Sequence, residues 1–316
     1  PDPKPEQASI MNRIKLTKKV AYPALIAFFI ASLHAANDQS KQTGAPNVYD
    51  VRAYGATGDG TTYDGVAIQK AIDACTQNGG GVVLLNNGTF VSGGLVLKSN
   101  VDLHLTSSAT LLASTDITKY NQDDKFHFKN TICSFIYAND AKHIAITGAG
   151  KIDGRGTSFT NYKVYSERPQ LILLRQCNDV RVDDIFLTNS GMFTLWLIQC
   201  ERVRIDGIRI LALGSPNNDG IDIDGCKDVF IANSNIHTID DCIAIKSSDK
   251  NYPSTGLVIT NCILSSRCAA IRFGPDSLAD TENITVSNCV IRDTGLNGIK
   301  IEESMGATMR NMTFSN

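Results

Sequence analysis

The stretch CNDVRVDDIFLTNSGMFTLWLIQCERVRIDGIRIL, residues 177–211, says one phrase twice. Cys177 opens a run in which Val180 and Val182 alternate with polar residues, and Cys200 opens another with Val203 and Ile205 in the same places. Alternation with a period of two is the pattern of a strand that buries one face. The phrase appears as HIAITG before this stretch and as DVFIANSNI, GLVITNCIL, NITVSNCVI and MRNMTF after it. Counted from Val180, the equivalent positions are Val203, Val229, Leu257 and Ile284, at steps of 23, 26, 28 and 27 residues. Such periods mark repeat architectures, whose units bury their apolar faces by stacking on one another. Leucine-rich repeats have similar periods, but their leucine spacing and their helix in each repeat are missing. The pattern predicts an all-β fold, a right-handed parallel β-helix.

A second phrase supplies the register: FTLWL (193–197), DGIDI (219–223), DCIAI (241–245), AAIRF (269–273) and NGIKI (297–301). Its third and fifth residues are apolar and point into the solenoid, so the fourth points out. The outward row reads Trp196, Asp222, Ala244, Arg272, Lys300, and the first residues form another row, Phe193, Asp219, Asp241, Ala269, Asn297. Strict alternation would turn Asp219 and Asp241 inward, which is costly for charges without partners. A bend at the start of each strand, helped by Gly220, predicts that they emerge on the outer surface.

The rest of the chain bounds the reading. Its 316 residues are 42% hydrophobic and 20% charged with a formal net charge of −2, a globular composition without the basic stripe that nucleic acid requires. A basic run after Met11, an apolar run from Val20 to Leu33 and small residues at Ala35 and Ala36 read as a secretory signal. The apolar run is shorter than the roughly 20 residues that span a bilayer and contains Pro23. An uncleaved anchor is the alternative. Residues 1–36 are therefore upstream sequence plus signal, 37–47 a polar linker, and 48–316 the β-helix domain. Near its start, Ile68, Ala71, Ile72 and Cys75 share one face of a short helix with Asp64 at its head and Gly79 after its end. Because only short strands follow, this helix is predicted to cap the stack. The nine cysteines show no C-x-x-C spacing. Cys177, Cys200 and Cys226 recur at one place in the phrase and predict a buried ladder, while a bridge from Cys242 to Cys262 or Cys268 stays open. His237 is placed on a surface turn.

If DGIDI and DCIAI are neighbouring strands, roughly 4.8 Å apart, then Asp219, Asp240 and Asp241 crowd one spot. Hydrolysis of a glycosidic bond uses one carboxylic acid to protonate the leaving oxygen and another carboxylate to act on water or on the sugar. Crowded like charges raise a pKa and hold a proton near neutrality. A turn ladder of Asn and Asp at solenoid corners is the bland explanation of the same residues.

Asn217-Asn218-Asp219-Gly220 followed by Asp240-Asp241-Cys242-Ile243-Ala244-Ile245 resembles the Asn-Thr-Asp-Gly and Asp-Asp segments of glycoside hydrolase family 28, the polygalacturonase family. DVRAYGATGDG, KIDGRG, RPQLILLRQCNDVRV and LTNSG support the resemblance, which runs from Val48 to the end. It implies an inverting hydrolase on a right-handed β-helix, without metal or cofactor, with Asp240 as general acid and Asp219 with Asp241 activating water. Asn217 belongs to the matching segment, and the outward row adds Arg272 and Lys300 as contacts to a uronate carboxylate, or else solvated surface charges, and Trp196 as a stacking surface, or else a ring packed beneath a loop. Two departures stand out. Cys268-Ala269-Ala270 replaces the family's Gly-His-Gly, as in rhamnogalacturonan hydrolases, and Lys300-Ile301-Glu302 replaces Arg-Ile-Lys, reversing one charge.

The expectation is a secreted, monomeric hydrolase of a pectin-type, uronate-containing polysaccharide, with no nucleic-acid partner and no membrane association after signal cleavage. Two rivals remain, a β-helical polysaccharide lyase and a non-catalytic carbohydrate-binding β-helix. The abrupt end at MRNMTFSN, within another coil, predicts that further C-terminal coils are missing.

Overall fold

In a computed structural model, residues 47–120, 134–159, 167–302 and 305–316 are described. The signal and most of the linker read from the sequence lie outside them, as does Cys133. From Pro46 on, the chain is one compact unit. Its strands run in parallel and form three long sheets, of ten, nine and eight strands among the described residues, and successive turns of the chain visit each sheet once. This is a parallel β-helix. The repeat read from sequence is the register of the first sheet: Val180 pairs with Val203, Val203 with Val229, Val229 with Leu257, and Leu257 with Ile284.

The apolar members of each phrase stack into one continuous core reaching from Tyr49 to Val286. Each Val, Leu or Ile so buried contributes roughly 1.5–3 kcal/mol against conformational entropy. The corners are built by residues in the left-handed region. Asp184, Gly207, Asn233, Asn261 and Asn288 take this conformation at the corner between the first and second sheets, with φ between 51° and 65°. Glycine pays no Cβ penalty there, and Asn and Asp tolerate it best among the rest. Asn261 Nδ2 donates to Asn233 Oδ1 at 3.2 Å, and Asn233 Nδ2 to Asp206 Oδ1 at 2.7 Å, so this corner carries its own polar ladder.

Helix α1 (Gly65–Gln77) buries Ala67, Ile68, Ala71, Ile72 and Cys75 against the first coils, as the spacing predicts. Asp64 precedes it without capping it. Its buried carboxylate instead accepts from the N–H groups of Thr57 (2.7 Å) and Gly58 (3.1 Å), folding the glycine-rich opening over the first coil. No helix among the described residues is long and apolar enough to cross a membrane.

Two local expectations are corrected. The eight described cysteines are free thiols, so Cys242 is not bridged to Cys262 or Cys268. The register explains why: the pairing Ile243↔Ile271 sets Cys242 beside Ala270, while Cys262 belongs to a different corner, where it stacks on Cys289. His237 lies within the strand Asn235–Thr238 of the second sheet, paired with Leu211 and Ser265, and not on a turn. The ladder of Cys177, Cys200 and Cys226 is buried, as expected.

Candidate active site

The outer face of the third sheet carries the outward row in register, Trp196↔Asp222↔Ala244↔Arg272↔Lys300. Just ahead of its strands the chain bends, and Asp219 and Asp241 sit in these bends on consecutive coils. The backbone ties the two coils together there. Gly220 N donates to Asp241 O (2.9 Å), Thr194 N to Asp219 O (2.9 Å) and Cys242 N to Ala269 O (3.0 Å). Crowding of the carboxylates is thus a consequence of strand register, as the sequence predicts.

Each acidic residue is held differently. Asp241 is 1% exposed, and its carboxylate is fully engaged: Oδ1 accepts from Ala269 N (3.1 Å) and Oδ2 from Arg272 Nη1 (3.3 Å). Asp240 is half-buried; its N–H donates to Asn218 Oδ1 (3.3 Å), and its Oδ1 accepts from Asp241 N (3.1 Å). Its carbonyl also accepts from the hydroxyls of Ser266 and Thr238. Asp219 is 5% exposed, and among the described residues no hydrogen bond reaches its carboxyl. Behind it, Asp222 is fully buried and accepts from Lys246 Nζ at 2.5 Å, while the Lys246 ammonium lies 4.7 Å from the centre of the Phe193 ring.

Burial dominates the electrostatics. It pushes Asp219 well above the usual carboxylate range, Asp222 adds to the push, and Lys246 opposes it. Burial likewise raises Asp222 to about 6, although the charge of Lys246 and its hydrogen bond pull the other way. Burial disfavours the Lys246 ammonium, yet the neighbouring Asp222 and Asp219 hold it above its ordinary value. The charges of three buried aspartates, Asp219, Asp222 and Asp241, beside the half-buried Asp240, are therefore offset by one buried lysine, by Arg272 and by backbone donors to Asp240 and Asp241.

Asp240, Asp241 and Cys268 each bring one ligand atom within 4.8 Å of the others. Burial, then its hydrogen bond to Asp241, pushes the Cys268 thiol up to about 12, and both Asp241 oxygens are already engaged, so these donors are poorly prepared for a metal.

Residues 75–316 match the sequence model of Glycosyl hydrolases family 28. The chain belongs to this family. A protein named "Probable polygalacturonase" from Arabidopsis thaliana is 32% identical over 85% of this chain and 58% of its own length. An exopolygalacturonase of Zea mays is 28% identical over 84% of this chain and 64% of its own. The chain thus spans less than two thirds of the length of these two relatives. The crystal structure of an exopolygalacturonase from Thermotoga maritima superposes with a TM-score of 0.76 at 22% identity, covering 86% of this chain and 77% of that one. That likeness establishes the right-handed parallel β-helix.

Within this family 28 member, Asp219, Asp240 and Asp241 come together as the sequence predicts. Asn217 lies nearby, half-buried in the left-handed region, where Arg168 Nη1 donates to its Oδ1 at 3.3 Å. Trp196 keeps its place in the outward row but not the open ring face expected of a stacking surface. It is 2% exposed and meets Phe193 edge-on at 5.2 Å, in a small apolar cluster outside the main core with Leu173, Met192 and Ile198. Arg272 and Lys300 are present, but both are engaged by carboxylates of the protein. Sequence reasoning missed three supports. Asn218 joins the two carboxylate coils by accepting from Ile239 N and Asp240 N, both at 3.3 Å. Lys246 sustains Asp222, and its place at the end of DCIAIK was the available signal. Arg168 is fully buried and bonds the carbonyls of Gly191 and Pro216, 49 residues before Asn217 in the chain, a separation that hides it from any local pattern.

Proposed function

We propose that the chain is the catalytic body of a secreted, monomeric hydrolase that cleaves a pectin-type, uronate-containing polysaccharide with inversion at the anomeric carbon. The observation that carries this reading is the unequal condition of three adjoining carboxyl groups. Asp241 is held by Arg272 and a backbone amide, Asp219 is buried with no hydrogen-bond donor among the described residues, and Asp240 sits at the accessible lip. Asp240, the carboxyl a polysaccharide can reach, donates its proton to the leaving glycosidic oxygen. Asp219 with Asp241 orients a water and takes its proton as the oxygen attacks the anomeric carbon. The names of the relatives support polygalacturonan-like substrates.

The test is release of reducing ends from homogalacturonan, rhamnogalacturonan and neutral glycans, with Asp240→Asn alongside. Loss of a general acid is expected to lower kcat by about 10²–10⁴-fold. Equal release by wild type and variant would remove Asp240 from the reaction. A product that absorbs in the ultraviolet and whose formation stops with a chelator would make the enzyme a lyase.

A further inference from the structure

Arg272 and Lys300 occupy neighbouring rungs of the outward row, one and two coils beyond Asp241. Two adjacent cations on a sugar-binding face would ordinarily grip the carboxylate of a uronate. Here a carboxylate of the protein stands between them. Glu302 Oε2 lies 2.8 Å from Arg272 Nη2 and 2.7 Å from Lys300 Nζ, and the other end of the Arg272 fork is taken by Asp241. Glu302 is not a stray surface side chain, because its N–H donates to Phe273 O at 2.9 Å and so continues the register of the paired strands. Its carboxyl stays ionised, held below the ordinary range by the hydrogen bond from Lys300 and then by that from Arg272. The quartet of Asp241, Arg272, Lys300 and Glu302 carries two charges of each sign. An incoming uronate would find no net attraction and two like charges close by.

We propose that Glu302 is a specificity-determining residue that reserves the subsite over Arg272 and Lys300 for a sugar unit without a free carboxylate, a neutral or esterified unit of the polysaccharide. The inference rests on the hydrolase reading above, since it names what that same cleft accepts. The ester carbonyl of such a unit can accept from the cations, and its hydroxyls can donate to Glu302, without displacing a charge.

The experiment measures equilibrium binding of galacturonate oligomers of one length, as free acid and as methyl ester, to the Asp240→Asn chain with and without Glu302→Gln. Glu302 is more than one third exposed, so the substitution leaves the core untouched, and Glu302→Ala serves as a second variant of different size. The expected result is tighter binding of the ester by the unmodified site, and a gain of about tenfold for the free acid in both Glu302 variants, with ester binding unchanged. Tighter binding of the free acid by the unmodified site, an acid-to-ester ratio that the variants do not move, or no binding of either oligomer overturns the proposal. Cleavage by the wild-type chain is scored separately. Hydrolysis with an unmoved ratio sinks only this inference, whereas the expected gain for the free acid in the Glu302 variants without hydrolysis of any glycan sinks only the hydrolase reading.

Discussion

The first and third sheets are built by the same rule and treat charge in opposite ways. Both stack side chains in register on their outer faces, and both place cations beside carboxylates. On the first sheet, Arg181 bonds Asp102 and Asp183, Arg202 bonds Asp179 and Glu201, and Arg310 bonds Glu282, with each arginine 49–52% exposed. On the third, the side chains of Lys246 and Asp222 are 10% and 0% exposed, and that of Asp241, beside Arg272, is 2% exposed. Water and salt screen the first set, so its pairs contribute little. In the second set removal of one partner strands a charge in a low dielectric. A repeat architecture therefore offers the same rungs everywhere, and burial selects the few that can hold chemistry.

The largest effect should come from breaking the buried pair. Lys246→Met should destabilise the fold by about 3–5 kcal/mol, measured by denaturant unfolding, because Asp222 is left uncompensated. The deficit should shrink as pH falls and Asp222 takes a proton, and Lys246→Met combined with Asp222→Leu should recover much of the loss. A Lys246→Met variant as stable as the wild type would erase the distinction between the sheets.

Next is a change expected to stabilise. The Asp219 carboxyl is raised in the folded state, so folding binds its proton more tightly; its cost is absent below the ordinary carboxylate pKa and grows as pH rises through the folded value. Asp219→Asn should therefore raise Tm at pH 7 by roughly 2–4 °C for each kcal/mol relieved, lose that advantage near pH 3, and abolish turnover. A lower Tm at pH 7 would contradict the sign. The smallest effect belongs to the first sheet, where Arg202→Ala should cost less than about 1 kcal/mol and less still at high salt. A larger, salt-insensitive loss would show that exposure is not what separates the two faces.

Much of this was legible beforehand because it depends on short-range rules. Alternation fixes which way a side chain points, and steps of 23 to 28 residues fix which side chains share a rung, so the row from Trp196 to Lys300 and the meeting of Asp219 with Asp241 could be read directly. The bends ahead of the strands were also legible, but the expectation that they bring the two aspartates to the outer surface is corrected: Asp219 and Asp241 are buried, and Arg272 covers Asp241. Other features depend on what covers the outer face. Trp196 points outward as its position in the phrase requires, yet Phe193 and its neighbours close over it. Arg272 and Lys300 read as free cations, yet Glu302 turns back onto both.

The sequence by itself determined the coil, its register and the identity of the crowded carboxylates, because in-register stacking makes each coil a copy of the last and local pattern then dictates position. Only the tertiary structure decided which of those positions are dry, which charges are already paired, and that Arg168 and Asn218 hold the acidic coils in place. Dielectric and partnership depend on atoms brought together from distant coils, and no repeat encodes them.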